Sequence, residues 1–473
     1  LRRLSALLLL ASILMVTFSL VTSAQAGDPT GSRIPGDTLH GQKVAIDMGW
    51  MLIMGSIVWF MQLGFAFLGA GVLRSKNQVN YWTKSYIDFS IGVVVFMMVG
   101  FALMFGGSKL YPGLEQGNQV IGWSGFLLAG DAYDVSTLAF FFWQAVFAAT
   151  SVTIVAGMVA ERLKFTAYMA YTVLVNMVMY PIYGHWVWGG GWLATLPFGV
   201  GVRDFAGSGV VHALGGFTGL AAALLLGPRI GKYDGDGKPR VFPGHNIPYA
   251  VAGTFILFFG WFAFNGGSTL AATDLRTSVI MVNTYLAGGA GATAMALLTY
   301  AKYRRADTLL ICNGALGGLV AVTASCAYIA PWAAVVIGLV AGPIVWAGNW
   351  LVEWKFKIDD PVGAFGVHGV CGAFGLIAVG IFADGTYGGV EGLILGKTGQ
   401  IVAQLIDAGV VISFSFAMGL LIFAAIKYTI GLRVGMEEEL SGLDIGEHGY
   451  SAYPEYVIAQ AQPEEVLKND EED

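Results

Sequence analysis

Apolar runs of about 20 residues recur along the chain from Val44 onward, separated by short polar breaks. That length carries an α-helix across about 30 Å of hydrocarbon. Eleven runs are read, roughly 44–72, 86–106, 137–160, 166–188, 207–227, 247–265, 278–301, 308–327, 332–352, 364–383 and 400–430. They predict an all-α integral membrane protein with eleven transmembrane helices. The breaks test the count, because cytoplasmic loops are enriched in Lys and Arg. With the N-terminus outside, the cytoplasmic breaks hold fourteen basic residues: Arg74, Lys76, Lys84, Arg162, Lys164, Arg229, Lys232, Lys238, Arg240, Lys302, Arg304, Arg305, Lys355 and Lys357. The external breaks hold four: Lys109, Arg203, Arg276 and Lys397. This bias places the C-terminus in the cytoplasm.

Composition agrees. Of 473 residues, 56% are hydrophobic and 12% charged, against about 25% charged in soluble domains. The 67 glycines suit helices that approach closely in lipid. The net charge of -6 is concentrated: residues 434–473 hold 12 acidic residues and one basic, Lys468. The remainder is slightly basic, and no nucleic-acid partner is suggested. Cys312, Cys326 and Cys371 all lie in apolar runs and read as small buried hydrophobes, with no disulfide or metal spacing. Residues 1–26 read as a signal peptide: Arg2 and Arg3, an apolar stretch over 7–21, and Ala24-Gln25-Ala26. Residues 27–43 read as an external arm, 44–432 as the transmembrane domain and 433–473 as a cytoplasmic acidic tail. The chain carries no phosphate loop, nucleophile elbow or HExxH. Neither an enzyme nor a cofactor is expected.

One string occurs twice. Asp204-Phe-Ala-Gly207-Ser-Gly-Val-Val-His212-Ala-Leu-Gly-Gly216-Phe-Thr-Gly219 echoes Asp360-Pro-Val-Gly363-Ala-Phe-Gly-Val-His368-Gly-Val-Cys-Gly372-Ala-Phe-Gly375. In both, Asp precedes His by eight residues, and glycines follow His by four and seven. An ionisable side chain inside a membrane is costly and reads by default as functional. The histidines fall on the fifth and tenth runs, which cross in opposite directions, so runs 1–5 and 6–10 are expected to be inverted repeats with helix 11 bracing them. Eight helical residues span about 12 Å. Entering from opposite faces, His212 and His368 then meet near the midplane, and the glycines on their faces let the backbones cross. Neutral imidazole donates at one nitrogen and accepts at the other, so the pair suits a proton relay along a dry pore. Asp204 and Asp360 also read as helix N-caps, and Asp204 as a source of cation-favouring potential at the pore mouth. Aromatics in Trp143-Gln144-Ala-Val-Phe147, His185-Trp186-Val-Trp188 and Gly260-Trp261-Phe-Ala-Phe264-Asn-Gly-Gly-Ser268 fall at the external face. They form either an interfacial belt or a cation–π vestibule.

These strings, with Arg74-Ser-Lys76-Asn77, Ala160-Glu161-Arg162, Asp359-Asp360-Pro361, Gly431-Leu-Arg-Val434, Gly442-Leu-Asp444, His448-Gly449 and Ala452-Tyr453, carry a resemblance. The chain resembles ammonium transporters of the Amt/Mep/Rh family, on the bacterial Amt side, over residues 44–453. The resemblance implies an ammonium recruitment site at Trp188, Ser268 and Phe147, with Asp204 beneath it. It implies a stacked phenyl gate at Phe147 and Phe264, and a twin-histidine pore at His212 and His368. It further implies electrogenic ammonium uptake, with a non-conducting ammonium sensor and an Rh-like passive ammonia channel as alternatives. Homotrimers in the bacterial inner membrane and a cytoplasmic PII-type partner are also implied. Two positions depart from the pattern: Gly363, where many relatives are acidic, and Trp143, often Phe.

Overall fold

The structure, a computed structural model, describes residues 27–454. The expected signal at 1–26 and the last part of the tail lie outside the described residues. Eleven apolar helices dominate: α1 Leu39–Val72, α2 Ser75–Phe105, α3 Val135–Val159, α4 Phe165–Val187, α5 Ser208–Leu226, α6 Ile247–Thr269, α7 Thr277–Tyr303, α8 Thr308–Thr323, α9 Pro331–Lys355, α10 Phe365–Phe382 and α11 Gly399–Thr429. Two short helices, α12 Met436–Ser441 and α13 Leu443–His448, follow in the tail. No strand forms among the described residues, where only isolated bridges occur. The multi-pass all-α membrane fold expected from the apolar runs is thus the one observed.

Boundaries shift where polar residues are buried. α1 begins at Leu39, ahead of residue 44, because the Thr38 hydroxyl caps Gly41 N–H at 3.0 Å. This shortens the arm. α2 begins at Ser75 rather than 86. The sequence reading put Lys84 in a loop, but Lys84 and Asp88 lie inside the helix, buried. α8 has only 16 residues and stops at Thr323 instead of 327. Its free carbonyls are taken by the segment before α5: Phe205 N–H donates to Ala324 at 3.1 Å and Ala206 N–H to Thr323 at 3.2 Å. That exchange ties the start of α5 to the end of α8.

The two histidine helices have wide π turns at their starts, Ser208–Ala213 and Phe365–Val370. π turns recur within α2, α4 and α9. Such turns often mark functional positions. α3, α5 and α10 form the most buried part of the bundle, whereas α7, α9 and α11 keep much of their apolar surface outward.

Candidate functional site

Each histidine is placed by the carboxylate ahead of it. Asp204 accepts from the backbone N–H groups of Gly207, Ser208, Gly209 and Val210, all at 2.8–2.9 Å. Asp360 accepts from Gly363 at 3.0 Å and Phe365 at 2.8 Å. Both carboxylates satisfy the orphan donors of a helix start. Within the π turn, His212 N–H reaches back to Gly207 O at 3.1 Å.

The two rings then meet. His212 Nδ1 and His368 Nδ1 are 3.1 Å apart, with centroids separated by 5.2 Å and planes inclined at 22°. One nitrogen of the pair therefore carries the shared hydrogen. His212 Nε2 is buried and has no hydrogen-bond partner among the described residues. The glycines at His+4 interlock reciprocally. A Cβ on Gly216 would lie 2.5 Å from Gly369 Cα, and one on Gly372 would lie 2.5 Å from Ser208 O. Of the glycines at His+7, Gly375 joins this crossing, its Cβ position lying 2.6 Å from Ser208 Oγ of α5, with Ala321 of α8 beside it; Gly219, contrary to expectation, faces Met158 on α3.

On one side of the pair lies a vestibule of about 230 Å³ lined by Trp143, Phe147, Trp188, Asp204 and Ser268, among others. Trp188 is fixed by its indole N–H, which donates to Asp204 O at 2.7 Å. Ser268 donates its hydroxyl to Phe264 O at 2.8 Å, leaving the oxygen as an acceptor. Phe147 and Phe264 close the floor, 4.3 Å apart and tilted by 41° rather than parallel. Trp261 was expected at the external face with its neighbours. Instead it is fully buried, stacked on His212 at 5.0 Å, with its indole N–H on Thr323. Arg203 also lines the vestibule, its guanidinium turned to Val202 O at 2.8 Å. On the other side of the pair, His368, Phe65, Tyr81, Thr153 and Asn313 help line a cavity of about 30 Å³, room for about one small molecule.

Three of the quoted strings converge elsewhere, at the end of the bundle where the tail packs. Glu161 pairs with Arg74 at 2.7 Å and Arg229 at 2.8 Å, and Asp359 with Arg229 at 2.8 Å. Arg162 donates to the Asp359 carbonyl at 2.8 Å. Burial pushes the Glu161 carboxyl up, but Arg229 and Arg74 together hold it down at about 2. These residues brace loops and do not line either cavity. Glu439 pairs with Arg433 at 2.8 Å, Asp444 accepts from Asn80 N–H at 2.9 Å, and Glu447 from Phe165 N–H at 2.6 Å. The three cysteines are free and buried.

The departure at Gly363 has a backbone cause. Its φ is +73°, and a Cβ there would lie 2.6 Å from Asn349 Nδ2.

Comparisons with known proteins agree with this architecture. A model of the Ammonium Transporter Family matches residues 49–453. The chain is 49% identical to ammonium transporter Amt2 of Archaeoglobus fulgidus, covering 95% of this chain and 96% of that one. It is 39% identical to a putative ammonium transporter of Synechocystis, covering 92% and 94%. Among solved structures, one titled Sensor Amt Protein superposes with a TM-score of 0.79 at 37% identity, covering 87% of this chain and all of that one. Mep2 of Candida albicans superposes with a TM-score of 0.76 at 28% identity, covering 87% and 90%.

Proposed function

The chain belongs to the ammonium transporter family, and we propose that it carries ammonium inward by separating it into ammonia and a proton. The observation that carries this reading is the buried His212–His368 pair, 3.1 Å apart, between a vestibule and an inner cavity. Ammonium is held in the vestibule by the faces of Phe147 and Trp188, which attract cations, and by the oxygen of Ser268. Asp204 contributes negative potential from just behind the start of α5. Beyond the Phe147/Phe264 pair the path is apolar, and a full charge there is too costly. Ammonium therefore gives up its proton at the phenyl pair, to the unpartnered Nε2 of His212, whose ring lies against Phe264. Ammonia then passes on alone. The shared hydrogen between the two Nδ1 atoms passes the proton on to His368 and the inner cavity. A potassium ion can neither donate hydrogen bonds nor shed a proton, so the same path rejects it.

The test is current on an ammonium jump in reconstituted vesicles. His368→Ala is expected to abolish the selective ammonium current; an undiminished, ammonium-selective current removes the histidines from the path. The solved neighbour titled as a sensor favours a second reading, in which ammonium binds without sustained conduction. That reading gives only a brief binding transient, and an Rh-like passive channel gives no charge movement at all. The proposal also includes inverted five-helix repeats, a homotrimer in the inner membrane, an external N-terminus, and a tail face within reach of a PII-type protein. Its supports are the matched histidine strings, the π turns paired in α4 with α9 and α5 with α10, and the asymmetry of basic residues.

A further inference from the structure

Lys84 and Asp88 sit one turn apart on α2, only 3% and 0% exposed. Two ionisable groups inside a membrane helix are costly, and the histidine pore uses neither. Asp88 has no ion-pair partner among the described residues; the nitrogen of Lys84 turns away to Glu447. Asp88 Oδ2 instead accepts from the Thr153 hydroxyl at 2.8 Å and the Tyr168 hydroxyl at 2.9 Å. The groups around it are Tyr81 and Lys84 on its own helix, Gln62 from α1, Thr153 from α3, and Tyr168 and Tyr171 from α4.

Thr153 is the link to the pore. It lines the inner cavity beside His368. Its single hydroxyl hydrogen faces Asp88 Oδ2 and Gln62 Oε1, each at 2.8 Å, and more distantly the Ala149 carbonyl of its own helix at 3.1 Å. A proton on Asp88 completes this set: the acid donates to Thr153, and Thr153 donates to Gln62. Rotation of the Gln62 amide is the competing way to complete it. Toward the tail, Lys84 Nζ donates to Leu163 O at 2.6 Å, lies 5.8 Å from the centre of the Tyr168 ring, and stands 3.7 Å from Glu447 Oε2 of α13.

We propose that Asp88 is a proton-holding site beside the inner half of the pore, loaded through Thr153 and emptied toward Lys84 and Glu447. This rests on the histidine pore being the ammonia path. The transfer balances without oxidation. Lys84, paired as an ammonium with Glu447, first gives a proton to the Glu447 carboxylate; the amine so formed takes the Tyr168 hydroxyl hydrogen as the Tyr168 oxygen takes the proton from Asp88. The Asp88 carboxylate then takes the Thr153 hydroxyl hydrogen, while the Thr153 oxygen takes a proton from the cavity. Ammonia and the proton that accompanies it thus leave by separate exits.

The experiment measures nitrogen uptake with an isotopic label and charge by current, on the same proteoliposomes of the full chain. Asp88→Asn keeps the shape but cannot cycle a proton; Thr153→Val removes the link. Each is expected to lower the charge moved per nitrogen roughly threefold or more, with Asp88→Glu restoring it. Asp88→Asn should also erase a protonated-carboxyl stretch from the infrared difference spectrum. Wild-type charge per nitrogen in both variants overturns the proposal, as does an unchanged infrared spectrum, which assigns the gap to Gln62 rotation. If Asp88→Asn does not yield monodisperse protein, Thr153→Val decides alone. His368→Ala run in parallel separates the two ideas, since its undiminished current removes the pore reading, whereas the Asp88 and Thr153 ratios concern only the branch.

Discussion

Replacing Asp204 separates its observed role as a cap from its proposed role as a source of potential. Its carboxylate accepts four backbone N–H groups, those of Gly207, Ser208, Gly209 and Val210, at 2.8–2.9 Å. A buried donor left unsatisfied costs about 1–3 kcal/mol. Asp204→Ala orphans all four donors, about 4–12 kcal/mol, which rivals the entire net stability of about 5–15 kcal/mol. Asp204→Asn keeps one oxygen, good for two donors, and turns an NH2 toward the other two, costing about 2–6 kcal/mol. The Asn variant is therefore expected to purify with its thermal midpoint lowered on the order of 10 °C. The Ala variant is expected not to survive as monodisperse protein. Size-exclusion recovery after a heating series measures both. An Ala variant within about 2 °C of the parent refutes the cap argument. Loss of current at unchanged stability would assign Asp204 to its field alone.

Gly216→Ala puts a methyl 2.5 Å from Gly369 Cα, where ordinary contact begins near ~3.4 Å; backbone on both sides leaves little room to yield. Parting the helices by about 1 Å stretches the histidine pair to about 4 Å, past hydrogen bonding. Ammonium current should vanish in Gly216→Ala and persist in Gly219→Ala, which meets only the flexible end of Met158; wild-type current in the first refutes the crossing. Gly363→Asp forces a side chain onto a residue at φ +73°, a cost of about 1–2 kcal/mol, and should lower the thermal midpoint; no drop refutes the backbone explanation. The Glu161 carboxyl is held at about 2, below its ordinary value of 4.5. Its contribution is complete above the ordinary value and is lost as pH falls through the folded value. The thermal midpoint of the parent should fall further than that of Glu161→Gln as pH drops from about 5 toward 2; parallel curves contradict this.

The apolar runs made the eleven helices legible, because a hydrocarbon span needs continuous apolar length whatever the tertiary contacts. The same criterion hid the start of α2. Lys84 breaks the apolar window and so looks like loop, whereas Asp88 falls inside the second run; other side chains and a carbonyl satisfy both inside the bundle. Their spacing of four, one helical turn, was the available signal. The twin strings located His212 and His368, and the caps by Asp204 and Asp360 were readable as such. Trp261 was misplaced because aromatic residues near a helix end suit an interface as well as they suit a ring stacked on His212. Of the seventh-residue glycines only Gly219 left the crossing: one turn past Gly216, that face of α5 packs on α3, where Met158 fills the space.

The interlocked glycines also bear on where the path opens. At the histidines, backbone meets backbone from both sides, Gly216 on Gly369 and Gly372 on Ser208. Each helix start is pinned by its own carboxylate, and the α5 start is further tied to the end of α8 through Phe205 and Ala206. Nothing there can shift without breaking several buried hydrogen bonds at once. The phenyl pair above it differs. Phe147 and Phe264 are side chains, touching at 4.3 Å between centroids, and side-chain rotation needs no backbone movement. Packed rings turn more slowly than exposed ones, which flip within nanoseconds, but their barrier is a local one. On the proposed path, entry to the histidines therefore falls to ring rotation at Phe147 and Phe264, while the histidine crossing keeps the fixed geometry that the proposed proton exchange requires.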